Sequence, residues 1–223
     1  GVRCDMAMLL LNDVFERTWG GRAGPRPDQD FWPQVIPAVK SRHPDMLFMA
    51  EAYWDLEPVL AEQGFDNWYD KRLYDRMEHE GPESIRAHLW ADPDYQRGAV
   101  RFLENHDEPR AAASFPPERL RACAVAVATL PGATLWHEGQ FEGRRVRIPV
   151  FMRRRPDEPV DEDLRRFYLD LVAGIGASGM LRGQWRQLST SGWPDNWSHE
   201  NLLTWCWEGD AGRHVVVVNL SDQ

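Results

Sequence analysis

Cysteine is scarce: the 223 residues contain three, Cys4, Cys123 and Cys206. Three thiols so widely spaced cannot build a disulfide framework. They sit in apolar surroundings and read as buried free thiols. That favours a reducing, cytoplasmic compartment without fixing the localisation. No apolar run is long enough to span a bilayer. No signal-peptide pattern is legible, which decides nothing, because the chain opens inside a motif. Positive charge is not in excess: the net charge is −9, which argues against nucleic acid and anionic membrane as partners. Metal-ligand spacing such as His-Glu-x-x-His is lacking, and His137-Glu138 is a bare dipeptide. Gly174-x-Gly176-x-x-Gly179 has the letters of a dinucleotide loop, but it follows a helical pattern rather than a strand, so it fails its context test.

What is present points to an ordered α/β chain. With 43% hydrophobic residues it can bury a core, and nothing suggests disorder. Tryptophan is abundant, at eleven residues. Most read as core, although the indole also stacks on flat sugar faces. Three short strand-like runs each deliver a carboxylate at or near an end: Gly1 to Ala7 with Asp5, Met46 to Trp54 with Glu51, and Gly98 to Leu103 leading into Asn105-His106-Asp107. Strand ends of this kind are where α/β sheets and barrels present groups to substrate. Glycoside hydrolysis needs two carboxyl groups flanking the scissile bond, and a third can hold sugar hydroxyls. Taken alone, Asp107 and Glu108 read equally as solvated loop charges, with His106 capping the strand.

In order, the three stretches resemble three motifs of the α-amylase family of retaining glycoside hydrolases and transglycosylases. Arg3-x-Asp5 resembles the strand-4 motif, Glu51 the strand-5 acid, and Asn105-His106-Asp107 the strand-7 motif. The resemblance implies a partial (β/α)8 TIM barrel, about strands 4–8, over residues 1–180, and the start of a C-terminal antiparallel β domain over 181–223. The chain then reads as the C-terminal part of a larger protein. The resemblance also implies roles: Asp5 as nucleophile, Glu51 as general acid/base and Asp107 as transition-state stabiliser, with Arg3 and His106 binding substrate or supporting the acids. An arginine beside a carboxylate favours its ionised form. No cofactor is expected, and a structural calcium, common in the family, would need ligands from outside this chain. Many family members carry Lys-His shortly after the nucleophile; Met8 and Leu9 stand in that region here, a departure from long-chain amylase specificity.

Periodicity supplies the rest. Helices are expected over Asp13 to Trp19 with Asn12 as cap, Gln29 to Arg42 with Asp28 as cap, and from Asp55 to Gly64. Further helices are expected over Lys71 to Glu80, Pro82 to Trp90, Pro117 to Thr129, and Glu162 to Ile175 capped by Asp161. Asp92 to Tyr95 reads as a turn. The arginines of 144–155 read as a solvated basic loop. Gly183 to Leu188, Leu202 to Trp207 and Arg213 to Leu220 read as strands. The expected function is a retaining α-glycosidase or α-glucanotransferase acting on oligosaccharide or polysaccharide. Its rivals are a non-catalytic carbohydrate-binding or scaffold relative, and an inactive piece of the enzyme.

Overall fold

The computed structural model describes residues 1–221. In chain order its elements are β1 (Val2–Cys4), α1 (Asn12–Trp19), α2 (Trp32–Lys40), β2 (Phe48–Ala50), α3 (Glu57–Glu62), β3 (Asn67–Tyr69), α4 (Lys71–His79), α5 (Pro82–Leu89), α6 (Pro93–Gly98), β4 (Ala99–Arg101), α7 (Ala111–Ser114), α8 (Pro117–Thr129), β5 (Ala133–Thr134), α9 (Glu162–Ser178), β6 (Gln184–Gln187), β7 (Leu202–Gly209) and β8 (Gly212–Asn219). They form two compact units. One is Gly1–Lys71 with Pro93–Val100; the other is Arg72–Asp92 with the residues from Arg101 onward.

In the first unit β1, β2, β3 and β4 pair in that order, all parallel. Parallel neighbours need crossover connections, and helices supply them here. The register sets Arg3 against Met49 and Cys4 against Ala50. One apolar cluster, including Met8, Trp32, Ile36, Phe48, Leu60 and Phe65, packs beneath the strands. Each such side chain contributes roughly 1.5–3 kcal/mol on burial. Trp32 lies edge-on to Phe65 with ring centroids 4.8 Å apart, and its indole N–H donates to the Ala7 carbonyl at 2.9 Å.

Three helix starts differ from the sequence expectation. Asn12 is the first residue of α1 rather than its cap, and its amide donates to the Pro27 carbonyl at 3.0 Å. Helix α2 begins at Trp32, not after Asp28. The carboxylate that matters there is Asp30, which accepts from the Asn12 N–H at 2.7 Å and from Gln63 Nε2 at 2.6 Å. Its donors stand 18 and 33 residues away, so it works as a tertiary tie rather than a cap. Helix α3 begins at Glu57 because Trp54 and Asp55 both hold left-handed φ, at 64° and 60°. The expected turn at Asp92 to Tyr95 is instead the entry to α6.

In the second unit β6, β7 and β8 form a separate antiparallel sheet. Trp205 lies opposite Val216 and Trp207 opposite His214. Helix α8 spans the expected residues. The Trp207 indole N–H donates to the carbonyl of its last residue, Thr129, at 2.7 Å. Asp161 caps α9 by accepting from the Leu164 N–H at 2.9 Å, and Gly179, at φ 64°, closes it in the left-handed conformation that costs glycine least. Tyr74 and Phe102 stack with centroids 5.6 Å apart. Leu135 N–H donates to the Arg101 carbonyl at 2.8 Å where β5 ends.

Candidate active site

Period-two alternation puts Arg3 and Asp5 on one side of the run that leaves β1. The parallel register brings Glu51 to the adjacent strand end, where its N–H donates to the Cys4 carbonyl at 3.0 Å. The three side chains then meet through one guanidinium. Arg3 Nη1 lies 2.6 Å from Asp5 Oδ1, and Nη2 lies 2.8 Å from Glu51 Oε1. Glu51 also accepts from the Met6 N–H at 2.7 Å, through Oε2, and from the Tyr53 hydroxyl at 3.1 Å, through Oε1. The Arg3 guanidinium sits 5.7 Å from the centre of the Tyr69 ring.

The two acids differ in environment. The Asp5 side chain is 77% exposed and that of Glu51 is 3% exposed. Asp5 can therefore be approached from solvent, while Glu51 is held by the protein. Burial by itself lowers the pKa of Arg3. The bond to Tyr69, the Glu51 charge and the bond to Asp5 outweigh it, so the arginine is held above its ordinary value. A permanently charged fork between two carboxylates fixes both in place. Met6, directly after Asp5, holds φ 42°, and the Trp54-Asp55 pair follows closely on Glu51. Left-handed non-glycine residues are costly and concentrate where geometry is constrained for a purpose.

His106 and Asp107 lie in the second unit, on the loop that leaves β4. His106 Nε2 is 3.0 Å from Asp107 Oδ2, and both side chains are partly exposed. Asn105 is buried, and its Oδ1 accepts from the Asp107 and Glu108 N–H groups at 2.8 and 3.0 Å. This is an asparagine-held turn, and it fixes the direction in which Asp107 leaves the backbone. The structure thus brings Arg3, Asp5 and Glu51 together, and His106 and Asp107 together as a second group.

Sequence reasoning missed the buried support of that loop. Glu104 is fully buried. Its Oε2 accepts from the Ala111 N–H at 2.7 Å, while Oε1 lies 3.2 Å from Arg110 Nη1 and 3.1 Å from His137 Nδ1. Arg110 Nη2 donates onward to the Glu138 carbonyl at 2.7 Å. Gly139, at φ 83°, stays out of the way: a Cβ there would stand 2.5 Å from Arg110 Nη2. The available signal was a carboxylate and an arginine bracketing the Asn-His-Asp run. The roles of Tyr53, Tyr69 and the Met6 amide were likewise not legible. The basic loop is less solvated than expected at its start, where Arg144 is buried and donates to the Glu158 carbonyl. Among the described residues, no group of three or more His, Cys, Asp or Glu side chains is placed to hold a metal ion.

No family model matches the chain. Its sequence is 28% identical over 184 residues to an α-amylase from Haloarcula japonica, covering 78% of this chain and 24% of the relative. The fold matches a noncanonic maltogenic α-amylase from Thermotoga neapolitana with a TM-score of 0.71, at 22% identity, over 98% of this chain and 48% of that one. The chain is similar to α-amylases in sequence and in fold. A debranching enzyme from Nostoc punctiforme, solved after soaking with acarbose, superposes with a TM-score of 0.72 at 16% identity, over 99% of this chain and 48% of the other. The chain spans about a quarter of the length of its α-amylase relative and about half of these solved chains. At such identities the solved structures establish a shared fold: a parallel α/β sheet and a separate three-stranded antiparallel sheet.

Proposed function

We propose that the protein works in a retaining α-glycoside hydrolase or α-glucanotransferase that acts on α-glucans by double displacement. One observation carries the reading: a single guanidinium, Arg3, bridges an exposed Asp5 and a buried Glu51. In this reading Asp5 attacks the anomeric carbon, the glycosidic C–O bond breaks, and a covalent glycosyl intermediate forms. Glu51 gives its proton to the leaving oxygen, then takes one from water or from an acceptor sugar. Arg3 holds the Asp5 carboxylate in position for attack. The family resemblance gives His106 and Asp107 the sugar hydroxyls, through bonds that strengthen in the transition state.

The same resemblance supports reading residues 1–180 as strands 4–8 of a (β/α)8 barrel and 181–223 as the start of a C-terminal β domain. The relatives' names, which include a maltogenic amylase, a cyclomaltodextrinase and a debranching enzyme, favour an α-linked glucose oligomer or polymer as substrate. The test incubates the complete protein with maltooligosaccharides and separates the products, beside a Glu51→Gln control. Shorter products absent from the control are expected, and longer ones mark a transferase. Absence of any change with every α-glucan tried refutes the reading and leaves a non-catalytic carbohydrate binder.

A further inference from the structure

The second unit buries a carboxylate that the proposed chemistry does not use. Glu104 is fully buried at the start of the loop that carries His106 and Asp107. Arg110, also buried, stands where that loop ends. The arginine is a hub. Its Nη1 lies 3.2 Å from Glu104 Oε1 and 2.7 Å from His137 Nδ1. Its Nη2 donates to the Glu138 carbonyl at 2.7 Å, and its Nε to the Arg144 carbonyl at 3.5 Å. A guanidinium only donates, so His137 Nδ1 accepts and the ring proton sits on Nε2. Glu104 Oε2 accepts from the Ala111 N–H at 2.7 Å, which ties the two ends of the Asp107 loop together. Arg145 adds a further tie by donating to the Ala112 carbonyl. His137, Glu138, Arg144 and Arg145 all belong to the loop that follows β5, so that loop grips the Asp107 loop.

Stability alone is a poor reason for this arrangement. Well-packed apolar residues of similar volume often replace a buried ion pair at no cost. They cannot reproduce its directions. The planar fork of Arg110 fixes Glu104, His137 and the Glu138 carbonyl at once, in set orientations. Between the two tied ends, Asn105 Oδ1 accepts from the Asp107 and Glu108 N–H groups and carries that constraint on to Asp107. We infer that Glu104, Arg110 and His137 are positioning residues that act through Asp107, setting the place from which its carboxylate reaches a sugar. That Asp107 meets a sugar rests on the function proposed above; the inference adds which buried residues aim it.

The test uses the complete protein and its Arg110→Lys variant, which keeps the charge and loses the fork, each with and without Asp107→Asn. Cleavage of a maltooligosaccharide is followed in the two proteins that keep Asp107. Affinity for acarbose, the compound soaked into the debranching-enzyme relative, is measured in all four. Arg110→Lys is expected to lower kcat about tenfold with KM changed less than about twofold, the pattern of an interaction made in the transition state. It should weaken acarbose binding about tenfold where Asp107 is present and less than about twofold where Asn stands there, because a residue that acts through another loses its effect once that other is removed. A merely structural role gives no such dependence. Cleavage by the parent, with acarbose weakened equally in both backgrounds or in neither, overturns the positioning role alone. A parent that neither cleaves the oligosaccharide nor binds acarbose overturns both this role and the proposed function. His137→Ala alters a partly exposed side chain and keeps the Glu104–Arg110 pair. It should show a smaller loss with the same dependence on Asp107, and it decides by the same criteria should Arg110→Lys fail to fold.

Discussion

Removing the charge of Arg3 while keeping its length, as Arg3→Met, separates the two carboxylates it bridges. The costs are unequal. Asp5 is mostly in water, where an ion pair contributes about 0–1 kcal/mol. Glu51 is buried, and removing one partner of a buried pair costs about 3–5 kcal/mol. Two features reduce that figure. The Arg3 side chain keeps 27% of its surface exposed, and Glu51 retains the Met6 N–H and the Tyr53 hydroxyl. The net loss should be about 2–3 kcal/mol, a fall in Tm of roughly 5–10 °C for a domain of this size.

A double-mutant cycle isolates the cause. In a Glu51→Gln background no buried charge is stranded, so Arg3→Met should cost less than about 1 kcal/mol, mostly lost packing over Tyr69. In an Asp5→Asn background it should cost nearly as much as in the parent, because the Asp5 pair is solvated. Urea unfolding at neutral pH reads all of these variants. Equal cost of Arg3→Met in the parent and in Glu51→Gln, within about 0.5 kcal/mol, refutes the claim that the guanidinium holds the buried acid. The result does not depend on the substrate, so it tests the site's geometry apart from its function.

Tyr53→Phe removes one donor to Glu51 and leaves its other two contacts in place. A drop in kcat of about tenfold with little change in KM is expected, the rate equivalent of ~1.4 kcal/mol, and an unchanged pH–rate profile and kcat would show that the hydroxyl plays no part. Gly98→Ala sets a Cβ 2.1 Å from the Trp68 ring. Such overpacking should cost about 3 kcal/mol by chemical denaturation, and Gly98→Ala/Trp68→Leu should recover part of it; no recovery would place the clash elsewhere. Burial pushes the Cys123 thiol up to about 12 from 9.0, against a smaller opposing effect of Arg119. The native state therefore keeps a proton that the unfolded chain loses, so this group's contribution is intact below pH 9 and is lost as pH rises towards 12. The slope reaches about 1.4 kcal/mol per pH unit. Unfolding of the parent between pH 8 and 10.5 should fall more steeply than that of Cys123→Ala, and parallel curves would contradict this.

The sequence made some elements legible because their signals are local. Helix α8 lies between a proline at its first position and the Pro-Gly turn beyond it, and α9 carries its own cap in Asp161. The strands of the antiparallel sheet alternate within a few residues. Elements whose ends are fixed by distant partners were misplaced. Asp28 reads as a cap, and only the contacts with the Asn12 N–H and Gln63, both distant in sequence, show that Asp30 is the residue in use and that its use is not capping. The same limit applied to the support of Glu104: nothing near it in sequence announces that His137 will share its carboxylate.

The candidate site divides along the same line. The acids stood out because a carboxylate at a strand end breaks an apolar pattern, and the spacing of Arg3 and Asp5 follows from strand parity. What holds Glu51 did not stand out, because it depends on backbone conformations that no local preference favours. Four non-glycine residues among those described have left-handed φ, and three of them, Met6, Trp54 and Asp55, follow Asp5 and Glu51 within four positions. Met6 turns its N–H onto Glu51 through such a turn, and the Trp54-Asp55 pair delays α3 by two residues. Local propensity and the observed backbone disagree most where the two acids leave their strands. Conflict of that kind costs stability and persists when geometry is needed for something other than folding. The strain therefore argues for Asp5 and Glu51 independently of any motif.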